Sequence, residues 1–108
     1  MPNSPALILC TCPDRAAAEK IARHLVAQRL AACVNIVPGL TSIYTWQDQV
    51  ETADEQLLLI KSLAGRYESI EQAIRALHPY ELPEIIALPI ERGLPDYLNW
   101  IASCVTSR

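Results

Sequence analysis

Apolar residues follow two rhythms along this chain. Ala6-Leu7-Ile8-Leu9-Cys10-Thr11-Cys12 is nearly continuous, which suits a strand covered on both faces, and Pro13 ends it. Asp14 can cap a helix in which Ala18, Ile21, Ala22, Leu25 and Val26 recur at helical spacing while Glu19, Lys20, Arg23 and Gln28 face out. That spacing predicts a helix to about Arg29. The segment from Ala32 to Val37 is rich in β-branched residues, and Leu40 to Trp46 continues in extended form after Pro38-Gly39. Pro-Gly inside one extended run predicts a bulge, not a break between strands. Gln47-Asp48-Gln49 is short and polar enough to turn a hairpin, after which Val50 and the run from Glu55 to Lys61 return.

Leu63, Tyr67, Ile70, Ile74 and Leu77 step by four, three, four and three, so residues 64 to 77 form an amphipathic helix that Pro79 stops. Ile85 to Ile90 makes a fourth strand, and Pro89 near its end points to an edge or a bulge. Pro95 is well placed to open a last helix with Leu94, Tyr97, Leu98 and Ile101 on one face. The order is βαββαβ plus a C-terminal helix: an α+β, ferredoxin-like fold with an antiparallel sheet and two helices on one face. The run from Leu57 to Ile60 is apolar on both sides, so the sheet's other face needs a cover, and self-association supplies one.

At 108 residues the chain reads as a single domain over 1–108. A copy of that size buries only about 60–70% of the surface its unfolded chain exposes, another reason to associate. Nine Lys+Arg against 12 Asp+Glu give a net charge of −3 with no basic run, which disfavours nucleic acid as a partner. Met1 to Pro5 carries no positive charge beyond the amino terminus, and Ala6 to Cys10 is too short for a signal or a membrane span. The expectation is a cytoplasmic protein with no membrane partner. Cys10, Cys12, Cys33 and Cys104 lie in or beside apolar segments and are expected as reduced thiols.

Candidate chemistry gathers at Leu77-His78-Pro79-Tyr80-Glu81-Leu82-Pro83-Glu84-Ile85, a stiff corner with a histidine, carboxylates and a phenol around two prolines. His78 falls at a helix C-terminus, where a capping role and a ligand role both suit it. Cys10 and Cys12 share one face of a strand, either as buried core or as metal contacts. His24 falls on the polar side of the first helix. Glu84 is stiffened by Pro83 beside the start of an expected inner strand, while Glu51, Asp54, Glu55 and Glu81 read as solvated carboxylates. Lys61 ends another strand, and if it meets Glu84 the two form an ion pair or a ligand-reading cleft walled by Tyr44, Trp46 and Tyr80, aromatics that also suit interface packing. No catalytic triad, phosphate loop or short-spaced Cys/His zinc motif is present, so the chain reads as a binding protein and not an enzyme.

Taken together, Cys10-Thr11-Cys12-Pro13-Asp14, Leu30 to Asn35 with Pro38-Gly39, Ser42 to Trp46, Lys61-Ser62, His78-Pro79-Tyr80 with Pro83-Glu84, and Asp96 to Trp100 resemble the CutA family, the divalent-cation-tolerance proteins. The resemblance implies a ferredoxin-like subunit in a homotrimer, with long hairpin strands crossing between subunits. It implies a role in tolerance of copper and other divalent cations, with Cys10 and His78 as metal ligands. Leu77 stands where some members carry a further histidine, so copper or another divalent cation is expected to be held weakly. Asp48 stands where the family usually has glycine, and aspartate tolerates the left-handed turn. The competing reading is a trimeric P-II-like regulatory module that senses a small anion or metabolite in intersubunit clefts lined by Trp46, Lys61, Tyr80 and Glu84.

Overall fold

The computed structural model describes residues 2–105. Strand β1 (Pro5–Cys12) leads into helix α1 (Arg15–Ala27), then to the long hairpin of β2 (Cys33–Trp46) and β3 (Gln49–Leu63). A 3₁₀ turn (Ala64–Arg66) precedes α2 (Tyr67–Leu77), so the predicted second helix begins three residues late as an α-helix. Strand β4 (Ile85–Pro89) and helix α3 (Pro95–Val105) complete the described residues. The four strands form one antiparallel sheet in the order β2-β3-β1-β4. Each βαβ unit is therefore split by a strand of the other, as the element order requires.

Alternation along the central strands sorts the two faces. Ala6, Ile8, Cys10 and Cys12 of β1 stand opposite Ser62, Ile60, Leu58 and Gln56 of β3 and turn to the helices. There Ile8, Cys10, Cys12, Leu58 and Ile60 pack with Ala18, Ile21 and Leu25 of α1 and with Ile70 and Ile74 of α2. The α1 stripe is in place because Asp14 accepts a hydrogen bond from the Ala17 N–H at 2.8 Å and fixes the first turn. Leu7, Leu9, Leu57 and Leu59 point to the opposite face. Helix α3 covers only one end of that face, where Ile101 and Val105 pack with Ala32 and Leu63. Val37, Ile86 and Leu88 remain exposed beyond it.

The Pro38-Gly39 bulge is present: the β2–β3 register shifts between Val37 and Leu40, and Gly39 sits at φ 78°, a conformation that suits glycine. Past the bulge the hairpin is a two-stranded ribbon closed by Gln47 and Asp48, both in the left-handed region at φ 52° and 64°. That is the backbone of a primed two-residue turn. On this ribbon Ile43 is 72% and Val50 77% exposed, so its apolar side chains lack cover in the single chain.

Strand β4 lies at a sheet edge, as Pro89 suggests, and is not the inner strand expected beside Glu84. Its prolines fit: Pro89 cannot donate to a ladder, which an edge tolerates. At the other end of the corner, His78 takes the extended conformation (φ −77°, ψ 137°) that Pro79 imposes, and its N–H closes α2 on the Ile74 carbonyl at 2.7 Å. The corner thus delivers the His78 side chain from the end of α2 to the end of β1.

Candidate functional site

Three side chains meet beneath the corner. Cys10 and Cys12 point the same way from β1, His78 reaches them from the end of α2, and their candidate ligand atoms all lie within 4.8 Å of one another. All are buried. Among the described residues this is the one group of His, Cys, Asp and Glu side chains close enough to hold a metal ion. Cys10 and His78 were paired in the sequence reading; Cys12 joins them here. Its signal in the sequence was the two-residue spacing on a strand, which by itself also describes buried core.

Both ring nitrogens of His78 are engaged. Nε2 lies 2.7 Å from the Thr11 carbonyl, which can only accept, so the proton is on Nε2. Nδ1 then accepts from the Tyr80 N–H at 3.0 Å. The neutral ring clamps the corner to β1 on one side and to itself on the other, and a metal ion can take Nδ1 only if Tyr80 N–H lets go.

The two thiols are free, with no disulfide. Hydrogen bonding to Cys12, reinforced by burial, pushes the Cys10 thiol well above its usual range. The same S–H bond stabilises a Cys12 thiolate and draws that group below its ordinary value, against the effect of burial. Cys10 also has the Thr11 carbonyl at 3.7 Å. The pair therefore ionises at Cys12 first and offers one good sulfur donor plus a second that gives up its proton only to a strong competitor.

On the opposite face of Thr11 opens a cleft of about 550 Å³ between the hairpin and the corner. Trp46, Tyr80 and Glu84 all line it, together with Tyr44 and Thr11. Lys61 does not. It stands opposite Leu7, four residues down β1 from Thr11, roughly 13 Å along the strand, and donates to Asn35 Oδ1 instead. Lys61 and Glu84 therefore do not meet. Their places on different strands hid the offset, because register cannot be read from either segment alone.

The residue that sequence reasoning missed is Glu55. Read as a solvated carboxylate near a strand end, it lies only 7% exposed at the cleft floor. Its Oε1 accepts from the Ser42 hydroxyl at 2.6 Å and its Oε2 from the Tyr80 hydroxyl at 2.8 Å. Burial and the bond to Glu55 both raise the Tyr80 phenol above its ordinary value, keeping it a donor. The available signal was Glu55's position two residues before the apolar run from Leu57, at a point where β3 is still paired in the hairpin, opposite Leu40. With Glu55, Glu81 and Glu84 around it and no lysine or arginine among the described residues that line it, the cleft repels anions. That charge disfavours the small-anion form of the regulatory-module reading.

A sequence model of the family described as CutA1 divalent ion tolerance protein matches residues 6–104. This chain belongs to the CutA1 family. The divalent-cation tolerance protein CutA of Thermus thermophilus is 50% identical over 95 residues, covering 88% of this chain and 92% of that protein. Protein CutA of Mus musculus is 44% identical over 101 residues, covering 94% of this chain but 57% of the mouse protein. This chain thus spans a little over half of that longer relative. The crystal structure of CutA from Xylella fastidiosa superposes with a TM-score of 0.92 at 48% identity, covering 94% of this chain and 98% of the other. The small α+β fold, with its antiparallel sheet and helices, is therefore the CutA1 fold. Among the described residues of this CutA1 chain, no helix is long and apolar enough to cross a membrane.

Proposed function

We propose that this CutA1 chain acts in divalent-cation tolerance as a cytoplasmic, homotrimeric binding protein, not a catalyst, and that copper is the ion its buried site suits. The observation that carries the reading is the convergence of Cys10, Cys12 and His78 within 4.8 Å. Sulfur and imidazole donors prefer a soft or borderline ion, copper(I) above all. The two sulfurs fit that ion once Cys10 gives up its proton, and the imidazole fits once Nδ1 is released from Tyr80. The requirement to displace one hydrogen bond and to take the proton of Cys10 makes the hold a weak one, in keeping with Leu77 in the place of a further histidine.

Self-association rests on the uncovered surfaces. The protruding hairpin exposes Ile43 and Val50, and an isolated two-stranded ribbon is only marginally stable in water. The free β2 and β4 edges and the uncovered Val37, Ile86 and Leu88 add further surface that a second copy can bury.

Titration of the reduced protein with copper(I) and with zinc, read by competition with a coloured chelator, tests the metal reading. Saturable binding of an ion per chain, weakened in the Cys10→Ala/His78→Ala double variant, is expected. No saturable binding, or binding unchanged in that variant, overturns the ligand assignment. Light scattering tests the assembly separately, and a monomer at micromolar concentration contradicts the trimer.

A further inference from the structure

The Thr11–Glu55–Tyr80 cleft holds chemistry that the metal reading does not use. We infer that it is a binding site for a small primary organic ammonium ion, with the ammonium head on Glu55 and the apolar body against Tyr44 and Trp46.

The floor supplies the first argument. Glu55 is more than nine-tenths buried, yet among the described residues no cationic side chain pairs with it: the ion pairs they form join Arg15 and Arg23 to Glu19. A buried carboxylate is costly without a counter-charge. Its two oxygens accept one hydroxyl each, from Ser42 and Tyr80, and a carboxylate has about four acceptor positions, so about half remain for N–H donors. The hydroxyls hold the carboxylate in place without satisfying its charge.

The walls supply the second. Tyr44, Trp46 and Tyr80 line the same cavity, and an aromatic face attracts a cation while covering an apolar chain. Glu81 and Glu84 add negative charge at the rim. A volume of about 550 Å³ is that of a small-molecule pocket, far larger than an ion needs.

Size also separates this ligand from a metal ion. The carboxylates of Glu55, Glu81 and Glu84 do not converge closely enough to form a metal-binding group, whereas Cys10, Cys12 and His78 do. The cation that fits here is extended, with a head that donates hydrogen bonds and a body that stacks. Glu55 favours a primary ammonium over a quaternary one, which has no N–H to give it.

Trp46 provides the readout. In the assembled protein with Trp100→Phe, leaving Trp46 as the single tryptophan, n-pentylammonium, 1-pentanol and pentanoate are titrated separately while emission is followed. A saturable change with n-pentylammonium is expected, about tenfold or more tighter than with the alcohol and absent with pentanoate. Glu55→Gln in the same background is expected to weaken n-pentylammonium about tenfold and to leave the alcohol unaffected. No saturable response, equal binding of amine and alcohol, or binding of pentanoate overturns the proposal. Should Glu55→Gln fail to fold, the three-ligand comparison on the unsubstituted site decides alone. Since Cys10 and Cys12 are untouched, failure here leaves the metal site standing, and the converse holds too.

Discussion

Replacing His78 by alanine separates its two roles. In the metal-free protein the side chain donates from Nε2 to the Thr11 carbonyl and accepts the Tyr80 N–H at Nδ1, with His78 8% and Thr11 6% exposed. Each such bond contributes about 0.5–1.5 kcal/mol net, and a buried carbonyl left without a partner costs about 1–3 kcal/mol. Counting once the Thr11 carbonyl, left with only the long 3.7 Å contact from the Cys10 thiol, and once the Tyr80 bond gives a loss of up to about 1.5–4.5 kcal/mol. Guanidinium unfolding of the reduced, metal-free protein at fixed concentration measures it as a lower midpoint with an unchanged slope. Tyr80→Phe is the control: it keeps both bonds that His78 makes and loses only the hydroxyl's bond to the Glu55 carboxylate, for about 1.5–3 kcal/mol. A His78→Ala protein within about 0.5 kcal/mol of the parent refutes the clamp, because the lowest values of the two terms together already exceed it.

Other consequences can be measured in the same protein. Ile60, fully buried on the central strand β3, should lose about 2–5 kcal/mol on truncation to alanine, read from the denaturant midpoint; a loss below about 1 kcal/mol contradicts the packing described. Asp48→Gly relieves a left-handed aspartate in the hairpin turn and should raise stability by about 0.5–1 kcal/mol, and a lower midpoint would show that the aspartate side chain is needed there. Ile43→Ser with Val50→Ser leaves the buried core alone but should shift sedimentation toward smaller species, whereas unchanged assembly removes the hairpin from the interface. Copper(I) affinity should rise from about pH 6 to about pH 8, by about tenfold per pH unit for each thiol proton released, because Cys10 is held protonated; a pH-independent affinity means that this thiol is not a ligand.

Local features of this fold were legible because their causes are local. Asp14 caps α1 through its own side chain, Pro38-Gly39 makes a bulge through backbone geometry, and Pro79 ends α2 by restricting His78. The α2 stripe of Ile70 and Ile74 was visible as spacing, and it is buried. What could not be read depends on how distant strands are set against each other. Lys61 and Glu84 both flank strand ends, but β1 carries them past one another, Lys61 opposite Leu7 and Glu84 next to the Ile85–Cys10 pair. Glu55 looked solvated because acidic residues near strand ends usually are; it takes the corner folding back, with Tyr80 over it, to bury this one. Cys12 was equally ambiguous until His78 arrived from 66 positions away in the chain to meet it. The family resemblance supplied Cys10 and His78 as a pair, and the geometry added both the third donor and the hydrogen bonds that compete for the imidazole.

The most direct test of the central claim is a crystal of the reduced protein grown with copper(I) and measured at the copper absorption edge. An anomalous peak is expected about 2.3 Å from the sulfurs of Cys10 and Cys12, with the His78 ring turned to it and the Tyr80 N–H released. A peak among the carboxylates of the cleft, or none at the two thiols in crystals whose solution protein binds copper, contradicts it.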